Sequence, residues 1–229
     1  MFWQRHVRLT GACLLCHARS GQLDRICDAC RGDLPYNSHA CGHCALPLPA
    51  GTSGLCGKCL TGRRRPPRIR SVFRYAFPVD RLIHRFKYQS HLAAGALLAE
   101  LMAAELDTLL AHPGPDVILP IPLHPLRLRE RGFNQAAELA RPLARTLGAR
   151  MEPALLSRQR ATREQRGLSA KERRRNLRGA FAALKHVNGR RVLIIDDVVT
   201  TANTAVEAAR VVRRAGATDV QVLSCARAE

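Results

Sequence analysis

A short segment near the C-terminus combines acidic and hydroxyl side chains directly after an apolar run. The run spans residues 191–195, and two carboxylates, Asp196 and Asp197, follow it. Such a run is typical of a buried parallel strand, and ligands of open parallel sheets bind at the carboxyl edge of the strands. The two carboxylates suit the hydroxyls of a ribose better than they suit a phosphate.

The residues after the two acids are suited to binding a phosphate. We expect a helix to begin near Asn203 or Thr204, and a helix N-terminus offers free N–H groups and the positive end of a dipole. Each hydrogen bond to a charged oxygen contributes roughly 1.5 to 3 kcal/mol. The alternative is a strand–turn–helix with a threonine N-cap, but one threonine would serve that purpose. The predicted phosphate-binding residues are Val198, Val199, Thr200, Thr201, Ala202, Asn203 and Thr204.

A second chemically active group lies in the N-terminal part of the sequence. Eight of the nine cysteines form four Cys-x-x-Cys pairs. Two thiolates at this spacing can point inward from one tight turn, and two such turns complete a tetrahedral zinc site. The pattern predicts two closed structural zinc sites, with disulfides or redox pairs as the alternatives. The predicted ligands are Cys13, Cys16, Cys27, Cys30, Cys41, Cys44, Cys56 and Cys59.

The spacing leaves the pairing of the cysteines open. The simplest arrangement is sequential, with the first four on one zinc and the last four on the other, but an interleaved cross-brace uses the same spacings. This segment has few large apolar groups, so we expect zinc to contribute on the order of 10 kcal/mol or more to its folding. A strong chelator is expected to unfold residues 1–60 and to leave the remainder intact. The ninth cysteine, Cys225, is predicted to be a buried core thiol.

The composition is strongly basic, with 37 lysines and arginines against 18 acidic residues and a net charge of +19. A field of this sign attracts polyanions such as nucleic acid, nucleotides and pyrophosphates; a merely solubilising surface is the alternative. An apolar content of 46% excludes a disordered chain. No apolar run reaches the roughly 18 to 20 residues that span a bilayer, and the N-terminus lacks a signal-peptide core. We therefore expect a cytoplasmic protein without membrane insertion.

Apolar periodicity predicts strands alternating with helices after the cysteine-rich segment. This alternation indicates an α/β fold with a parallel sheet covered on both faces. We divide the chain into a cysteine-rich module (1–62), a linker (63–70) and an α/β domain (71–229). The predicted strands are 71–77, 116–119, 191–195 and 219–225, and the predicted helices are 79–89, 92–112, 134–147 and 204–215.

An arginine-rich segment lies between the strand at 116–119 and the following helix. Arginine is suited to bidentate contacts with oxygen, so this segment is placed to bind pyrophosphate; a turn with exposed charge is the alternative. Residues 157–178 are polar and arginine-rich, which is typical of a lid or of disorder. Lys87 either adds a further positive contact to the bound ligand or is a solvated side chain. The predicted pyrophosphate-loop residues are Pro122, Leu123, Arg127, Arg129, Arg131 and Gly132.

The run 196–204 resembles the signature of type I phosphoribosyltransferases, in which two acids and two apolar residues precede Thr-Thr-Gly-x-Thr. In that family the loop binds the 5′-phosphate of phosphoribosyl pyrophosphate (PRPP), and the acids contact the ribose hydroxyls. The resemblance implies these roles for Thr200–Thr204 and for Asp196 and Asp197. Ala202 departs from the pattern, because the family has glycine there. If the position needs a positive φ, alanine costs roughly 1 kcal/mol or more; if it needs only a small side chain, alanine is tolerated.

A cysteine-rich module joined to such a domain resembles the ComF family, the competence and DNA-utilisation proteins of the ComFC and GntX type. Further matches lie at 84–88, 120–123, 131–135 and 160–181. The resemblance implies a phosphoribosyltransferase fold, a double zinc ribbon, and PRPP bound with Mg²⁺. It implies transfer or sensing of phosphoribosyl groups; the alternative is a non-catalytic protein that binds single-stranded DNA, a nucleotide or the DNA-uptake machinery on this scaffold. The catalytic residues implied are Asp196, Asp197, Arg129 and Arg131.

Overall fold

Five parallel strands form the central sheet of the computed structural model, which describes residues 11–18, 25–62, 66–110, 112–160, 177 and 179–229. Two further strands form an antiparallel pair beside the sheet. In chain order the strands are β1 (Arg68–Arg74), β2 (Val117–Pro120), β3 (Arg150–Met151), β4 (Leu156–Arg158), β5 (Phe181–Ala183), β6 (Arg191–Val199) and β7 (Asp219–Arg227). The order across the sheet is β1–β7–β6–β2–β3, and β4 pairs with β5. The predicted parallel α/β fold is confirmed.

Helices cover both faces of this sheet, and two short helices lie in the cysteine-rich module. The short helices begin directly after Cys27 and Cys56, which are their N-cap residues. The helices are α1 (Asp28–Gly32), α2 (Gly57–Thr61), α3 (Val79–Tyr88), α4 (Leu92–Ala104), α5 (Leu106–Leu109), α6 (Pro125–Arg131), α7 (Gln135–Thr146) and α8 (Asn203–Arg214). None of the helices in the described ranges is long and apolar enough to cross a membrane.

The central strand β6 shows why the sequence contains a continuous apolar run. Leu193 and Ile195 are buried against α4 and α7, whereas Val192 and Ile194 are buried on the opposite face against α8. Side chains alternate across a strand, so a strand covered on both faces must be apolar at every position. Cys225 in β7 is fully buried, as predicted.

Several predicted boundaries differ from the structure. The first strand was predicted at 71–77 but begins at Arg68, so residues 68–70 belong to the sheet and not to the linker. The cysteine-rich module contacts the start of this strand, where the N–H of Ile69 donates to the His43 carbonyl at 2.8 Å. The helix predicted at 92–112 ends at Ala104, and the chain turns at Glu105, which brings Leu106 into the core. The last strand continues past Cys225 to Arg227.

A close approach between α3 and α4 depends on one glycine. A Cβ atom added to Gly95 would lie 2.4 Å from a ring carbon of Phe86, which is far inside van der Waals contact. Phe86 is itself 1% exposed, so its ring has little space into which it can move. Gly95 therefore fixes the position of α3, whose last turn carries Lys87.

The cysteine-rich module packs against the α/β domain and covers the outer edge of β1. Tyr36 pairs with Phe73 in an antiparallel bridge, and the N–H of Asn37 donates to the Val72 carbonyl at 2.9 Å. Ile26 and Leu34 are buried in the same apolar cluster as Phe73 and α4. An edge strand with unpaired backbone groups is a site for unwanted pairing, and the module covers it. These contacts lead us to propose that zinc removal affects the α/β domain as well as the cysteine-rich module.

We predict that chelating zinc lowers the melting temperature of the α/β domain. Each large apolar side chain taken out of water contributes about 1.5 to 3 kcal/mol, and each kcal/mol shifts the melting temperature by about 2–4 °C at this chain length. Circular dichroism melts with and without a strong chelator measure the effect, and zinc add-back is the control. An unchanged melt of the helical signal would show that the module is only tethered to the domain.

Candidate functional site

A cavity of about 430 Å³ opens at the carboxyl edge of the sheet, where β2 and β6 end. Its lining combines acidic and basic groups from elements that are distant in sequence. The charged lining residues are Lys87 from α3, Arg127, Glu130 and Arg131 from α6, Arg158 from β4, and Asp196 and Asp197 from β6.

The acid pair was predicted to lie beyond the end of β6, but both residues lie inside the strand. The strand continues to Val199, and Asp196 is opposite Ser224 of β7 in the ladder. The N–H of Asp197 donates to Asp196 Oδ1 at 2.9 Å, and the N–H of Val198 donates to Asp197 Oδ1 at 2.6 Å. The ladder and these local hydrogen bonds therefore fix both carboxylates at the cavity wall.

Lys87 forms an ion pair with the second acid. Its Nζ lies 2.8 Å from Asp197 Oδ2, and both side chains are about 15% exposed, at 16% and 15%. Burial alone would lower the pKa of Lys87, but the charge of Asp197 and the hydrogen bond to it outweigh burial and raise that pKa. The lysine is therefore a charged group of the site, which decides between the two roles considered for it.

Asp196 has no comparable ion pair in the described part of the chain. Burial, followed by repulsion from Asp197, raises the pKa of Asp196 to about 7, and the charge of Lys87 only partly opposes this shift. Two adjacent acids beside one lysine thus leave a carboxyl group that is half-protonated near neutral pH. Strongly shifted pKa values of this kind are common at functional sites.

The helix α6 directs two arginines to the cavity. The ring of His124 caps its N-terminus by accepting from the N–H of Leu126, and Gly132 ends it in a left-handed conformation with φ of 75°. Arg127 and Arg131 are four residues apart and therefore lie on one face of the helix, toward the cavity. Arg129 lies on another face and is exposed. The arginine-rich segment predicted as a loop is therefore helical over 125–131.

Two amide side chains connect the end of α6 to the start of α7. Asn134 caps α7 and donates from Nδ2 to the Ile121 carbonyl at 3.0 Å. Gln135 is 1% exposed, and its Oε1 accepts from Arg131 Nη1 at 3.1 Å. A guanidinium has only donors, so this bond fixes which way the glutamine amide faces. Its Nε2 then has no hydrogen-bond partner among the described residues, although the residue lines the cavity.

An unpaired buried donor costs about 1–3 kcal/mol, so its presence at a cavity wall indicates an acceptor-rich ligand. Lys87, Arg127, Arg131 and the Gln135 amide together offer positive charge and N–H donors. Phosphate oxygens match this set of donors.

The predicted phosphate loop connects β6 to α8. Ala202 is the N-cap residue of α8 with φ of 60° and ψ of 3°, the left-handed region that glycine adopts more easily. The position therefore has the positive φ at which alanine is strained. Thr200 and Thr201 are exposed, and Thr204 in the first turn of α8 faces the cavity.

The structure brings together about half of the residues predicted for this site. Those that line the cavity are Leu123, Arg127, Arg131, Asp196, Asp197, Val198 and Thr204. Those outside the lining are Pro122, Arg129, Gly132, Val199, Thr200, Thr201, Ala202 and Asn203. Most of the predicted lid, 157–178, falls outside the described residues; residues 157–160 and 177 are described, and of these Arg158 lines the cavity. Arg158 and Gln135 were not predicted individually as site residues. The sequence signal for Arg158 was its place in the predicted lid, and that for Gln135 was its place in the segment 131–135, which resembles the ComF family.

The cysteines form two groups with sequential pairing, and within each group the sulfur atoms lie within 4.8 Å of one another. The Sγ atoms of Cys16 and Cys27 are 3.7 Å apart, and those of Cys44 and Cys56 are 3.6 Å apart. These separations are too long for a disulfide and close to the roughly 3.8 Å that tetrahedral zinc imposes on thiolates. The groups are Cys13, Cys16, Cys27 and Cys30, the first zinc site, and Cys41, Cys44, Cys56 and Cys59, the second zinc site.

Family models match both parts of the chain. A double zinc ribbon domain matches residues 8–60, and a phosphoribosyl transferase domain matches residues 87–228. The chain is thus a zinc-ribbon protein with a phosphoribosyltransferase domain. The glutamine PRPP amidotransferase of Bacillus subtilis is a partial structural likeness, with a TM-score of 0.36 and 23% identity over 56% of this chain and 25% of that chain.

Three similar proteins show which family the chain belongs to. DNA utilization protein YhgH of Salmonella typhi is 40% identical over 205 residues, which cover 86% of this chain and 88% of the relative. Competence protein F of Haemophilus influenzae is 35% identical over 89% of this chain and 90% of its own length. Competence protein ComFC of Bacillus subtilis is 27% identical over 86% and 87%. The chain belongs to the ComF family of competence and DNA-utilisation proteins.

We predict that Asp196→Asn stabilises the protein, relative to wild type, more at pH 8 than at pH 5. The folded-state pKa of Asp196, about 7, lies above the ordinary 3.8, so the wild type loses stability as pH rises through this interval. Allowing for partial exposure, the gain of the variant over wild type should grow by about 1–2 kcal/mol between the two pH values.

Urea unfolding at both pH values measures this difference. Asp116→Asn is the control, because Arg191 holds the pKa of Asp116 below its ordinary range and its effect is constant between pH 5 and pH 8. A stability difference for Asp196→Asn that is equally constant would contradict the raised pKa.

We predict that Ala202→Gly raises the free energy of unfolding by about 0.5–1 kcal/mol, because glycine relieves the left-handed strain while losing more chain entropy. Ala215→Gly, at the other end of α8 with φ of −78°, is the matched control and should be destabilising. Chemical denaturation of both variants gives the comparison. Destabilisation by both substitutions would mean that Ala202 carries no strain.

Proposed function

We propose that the cavity binds PRPP with Mg²⁺ and that the protein transfers or senses phosphoribosyl groups in DNA utilisation. In this proposal Asp196 and Asp197 face the ribose hydroxyls, and the segment 198–204 surrounds the 5′-phosphate. Arg127 and Arg131 bind the pyrophosphate. The observation that carries the proposal is the convergence of the acid pair, the cationic groups and the start of α8 on one cavity.

The charges of the cavity suit a ligand that has both hydroxyls and anionic oxygens. A carboxylate accepts hydrogen bonds from hydroxyls, and the acid pair lies on the β6 side of the cavity. Arg127 and Arg131 lie on the α6 side and Arg158 on the β4 side, so the basic groups flank the acids. PRPP has the same polarity, with a ribose between two phosphate-bearing ends.

In a transfer reaction, a nucleophile such as a base or an amine forms a bond to C1 of the ribose while the bond from C1 to pyrophosphate breaks, and the bonding electrons leave with the pyrophosphate. Mg²⁺ would supply Lewis acidity to the leaving group. Fixed cations at Arg127 and Arg131 would stabilise the charge that develops on the departing oxygens. Arg129 is exposed and outside the lining, so we assign this role to its neighbours and not to it.

The names of the relatives place them in competence and DNA utilisation, and the net charge of +19 suits a polyanion. Binding of single-stranded DNA on the same scaffold is therefore the second candidate. It requires no catalysis, and its affinity should fall steeply with salt because phosphate contacts release counterions.

We predict that the wild-type protein binds PRPP with Mg²⁺ and that Asp197→Asn weakens this binding roughly 10-fold to 100-fold. The physical reason is the loss of hydrogen bonds to a charged group, each of which contributes about 1.5–3 kcal/mol. Isothermal titration calorimetry measures both affinities, and Asp116→Asn at the opposite edge of the sheet is the control.

Absence of binding heat in the wild type would contradict the PRPP proposal. A salt series with single-stranded DNA separates the second candidate. DNA binding that PRPP displaces would place both ligands in one cavity, and DNA binding that persists with saturating PRPP would place DNA elsewhere.

A further inference from the structure

Arg227, the last residue of β7, lies between the second zinc site and the phosphate loop. Its side chain is buried, with 6% of the residue exposed. Nε donates to the Cys44 carbonyl at 3.2 Å, and Nη1 donates to the Val199 carbonyl at 3.1 Å. Nη1 also donates to the carbonyls of Thr200 and Ala228. One guanidinium therefore bridges a zinc ligand and two residues of the loop.

The turn around Cys44 is itself fixed on the sheet. Arg70 Nη1 donates to the Gly42 carbonyl at 2.9 Å, and Asn37 Nδ2 donates to the Ala45 carbonyl at 2.9 Å. The N–H of Ile69 in β1 donates to the carbonyl of His43 within the same turn. The second zinc site thus presents the Cys44 carbonyl to Arg227 from a rigid support.

The second zinc site also supplies the negative charge that a buried guanidinium needs. Arg227 Nε contacts Cys44 directly, so the guanidinium lies beside the group of four cysteines that forms the second zinc site. A zinc ion bound by four thiolates carries a net negative charge. The zinc site is therefore both a hydrogen-bond partner and a counter-ion for Arg227.

The hydrogen bonds of Arg227, together with one from the N–H of Ala228 to the Val199 carbonyl at 3.0 Å, fix which way the loop amides face. In a planar trans peptide, the carbonyl of one residue and the N–H of the next point in opposite directions. Arg227 holds the carbonyls of Val199 and Thr200 inward, so the N–H groups of Thr200 and Thr201 point away from it. Both threonines are exposed, so the segment that carries these donors borders solvent.

We infer that Arg227 is a positioning residue and that, through it, the second zinc site organises the loop for the 5′-phosphate. This inference rests on the proposed function of the loop. Zinc at the second site then favours the phosphate-binding form, and reciprocity of linked equilibria requires the phosphate ligand to favour retention of that zinc. The first zinc site has no such contact with the loop among the described residues.

The test measures zinc release from the whole protein to a chromophoric chelator, with and without saturating ribose 5-phosphate. We expect the ligand to slow release of one of the two zinc ions at least threefold and to leave the other unchanged. Arg227→Met should abolish this slowing and weaken ribose 5-phosphate binding about tenfold. Arg227→Lys, which keeps the charge but loses the fork, should retain part of the effect.

Arg191→Met is the matched control, because Arg191 pairs with Asp116 at the opposite edge of the sheet. Arg191→Met should lower the stability of the protein, but ribose 5-phosphate should still slow the release of one of the two zinc ions. Equal slowing of both zinc ions, or the same loss in Arg191→Met as in Arg227→Met, would overturn the inference. The wild-type measurement needs no variant to fold: binding of ribose 5-phosphate without any effect on zinc release would overturn the inference and leave the proposed function intact. Absence of ribose 5-phosphate binding would overturn both.

Discussion

The site depends on the placement of two adjacent carboxylates at the carboxyl edge of a strand that is buried on both faces. Asp196 and Asp197 cannot separate, because the β6 ladder fixes their backbone. Lys87 compensates one charge directly, whereas the other carboxyl responds with a raised pKa. Arg127 and Arg131 line the same cavity from α6, while the acid pair has a cation of its own in Lys87. The arrangement places an acid pair and several basic side chains in the lining of one cavity.

The zinc ribbons contribute to this arrangement as well as to their own folding. Residues of the first ribbon, Ile26 and Leu34, complete the core beneath β1, and the second ribbon contacts the end of β7 through Arg227. The metal sites replace a hydrophobic core that this segment is too poor in large apolar groups to form. They also provide rigid turns at the edge of the sheet, so the two parts of the chain form one structural unit.

The sequence was sufficient to predict whatever depends on local pattern. The apolar run of β6 predicted a strand covered on both faces, and the cysteine spacing predicted both zinc sites. At Ala202, the glycine-to-alanine departure predicted strain only if the position had a positive φ, and the φ of 60° meets that condition. In each case the cause lies within a few neighbouring residues, so its signal survives in one stretch of sequence.

Contacts between distant segments could not be predicted in this way. Arg227 and Cys44 are 183 positions apart, and no local pattern links them. Lys87 was equally consistent with a solvated side chain until α3 was placed beside β6. The break at Glu105 arises because Leu106 reaches the core, which depends on packing and not on helix propensity. The position of Arg129 outside the cavity lining has a related cause, since a helix presents Arg127 and Arg131 on one face and the residue between them on another.

The most direct test of the central claim is phosphorus NMR of PRPP with Mg²⁺, titrated with the protein. PRPP carries its 5′-phosphate and its pyrophosphate on opposite sides of the ribose, so each end reports on its own part of the cavity. The account predicts that the resonances of both ends shift or broaden with wild type and that Asp197→Asn weakens both effects together. A spectrum in which neither end responds, or in which only the pyrophosphate responds and Asp197→Asn changes nothing, would contradict it.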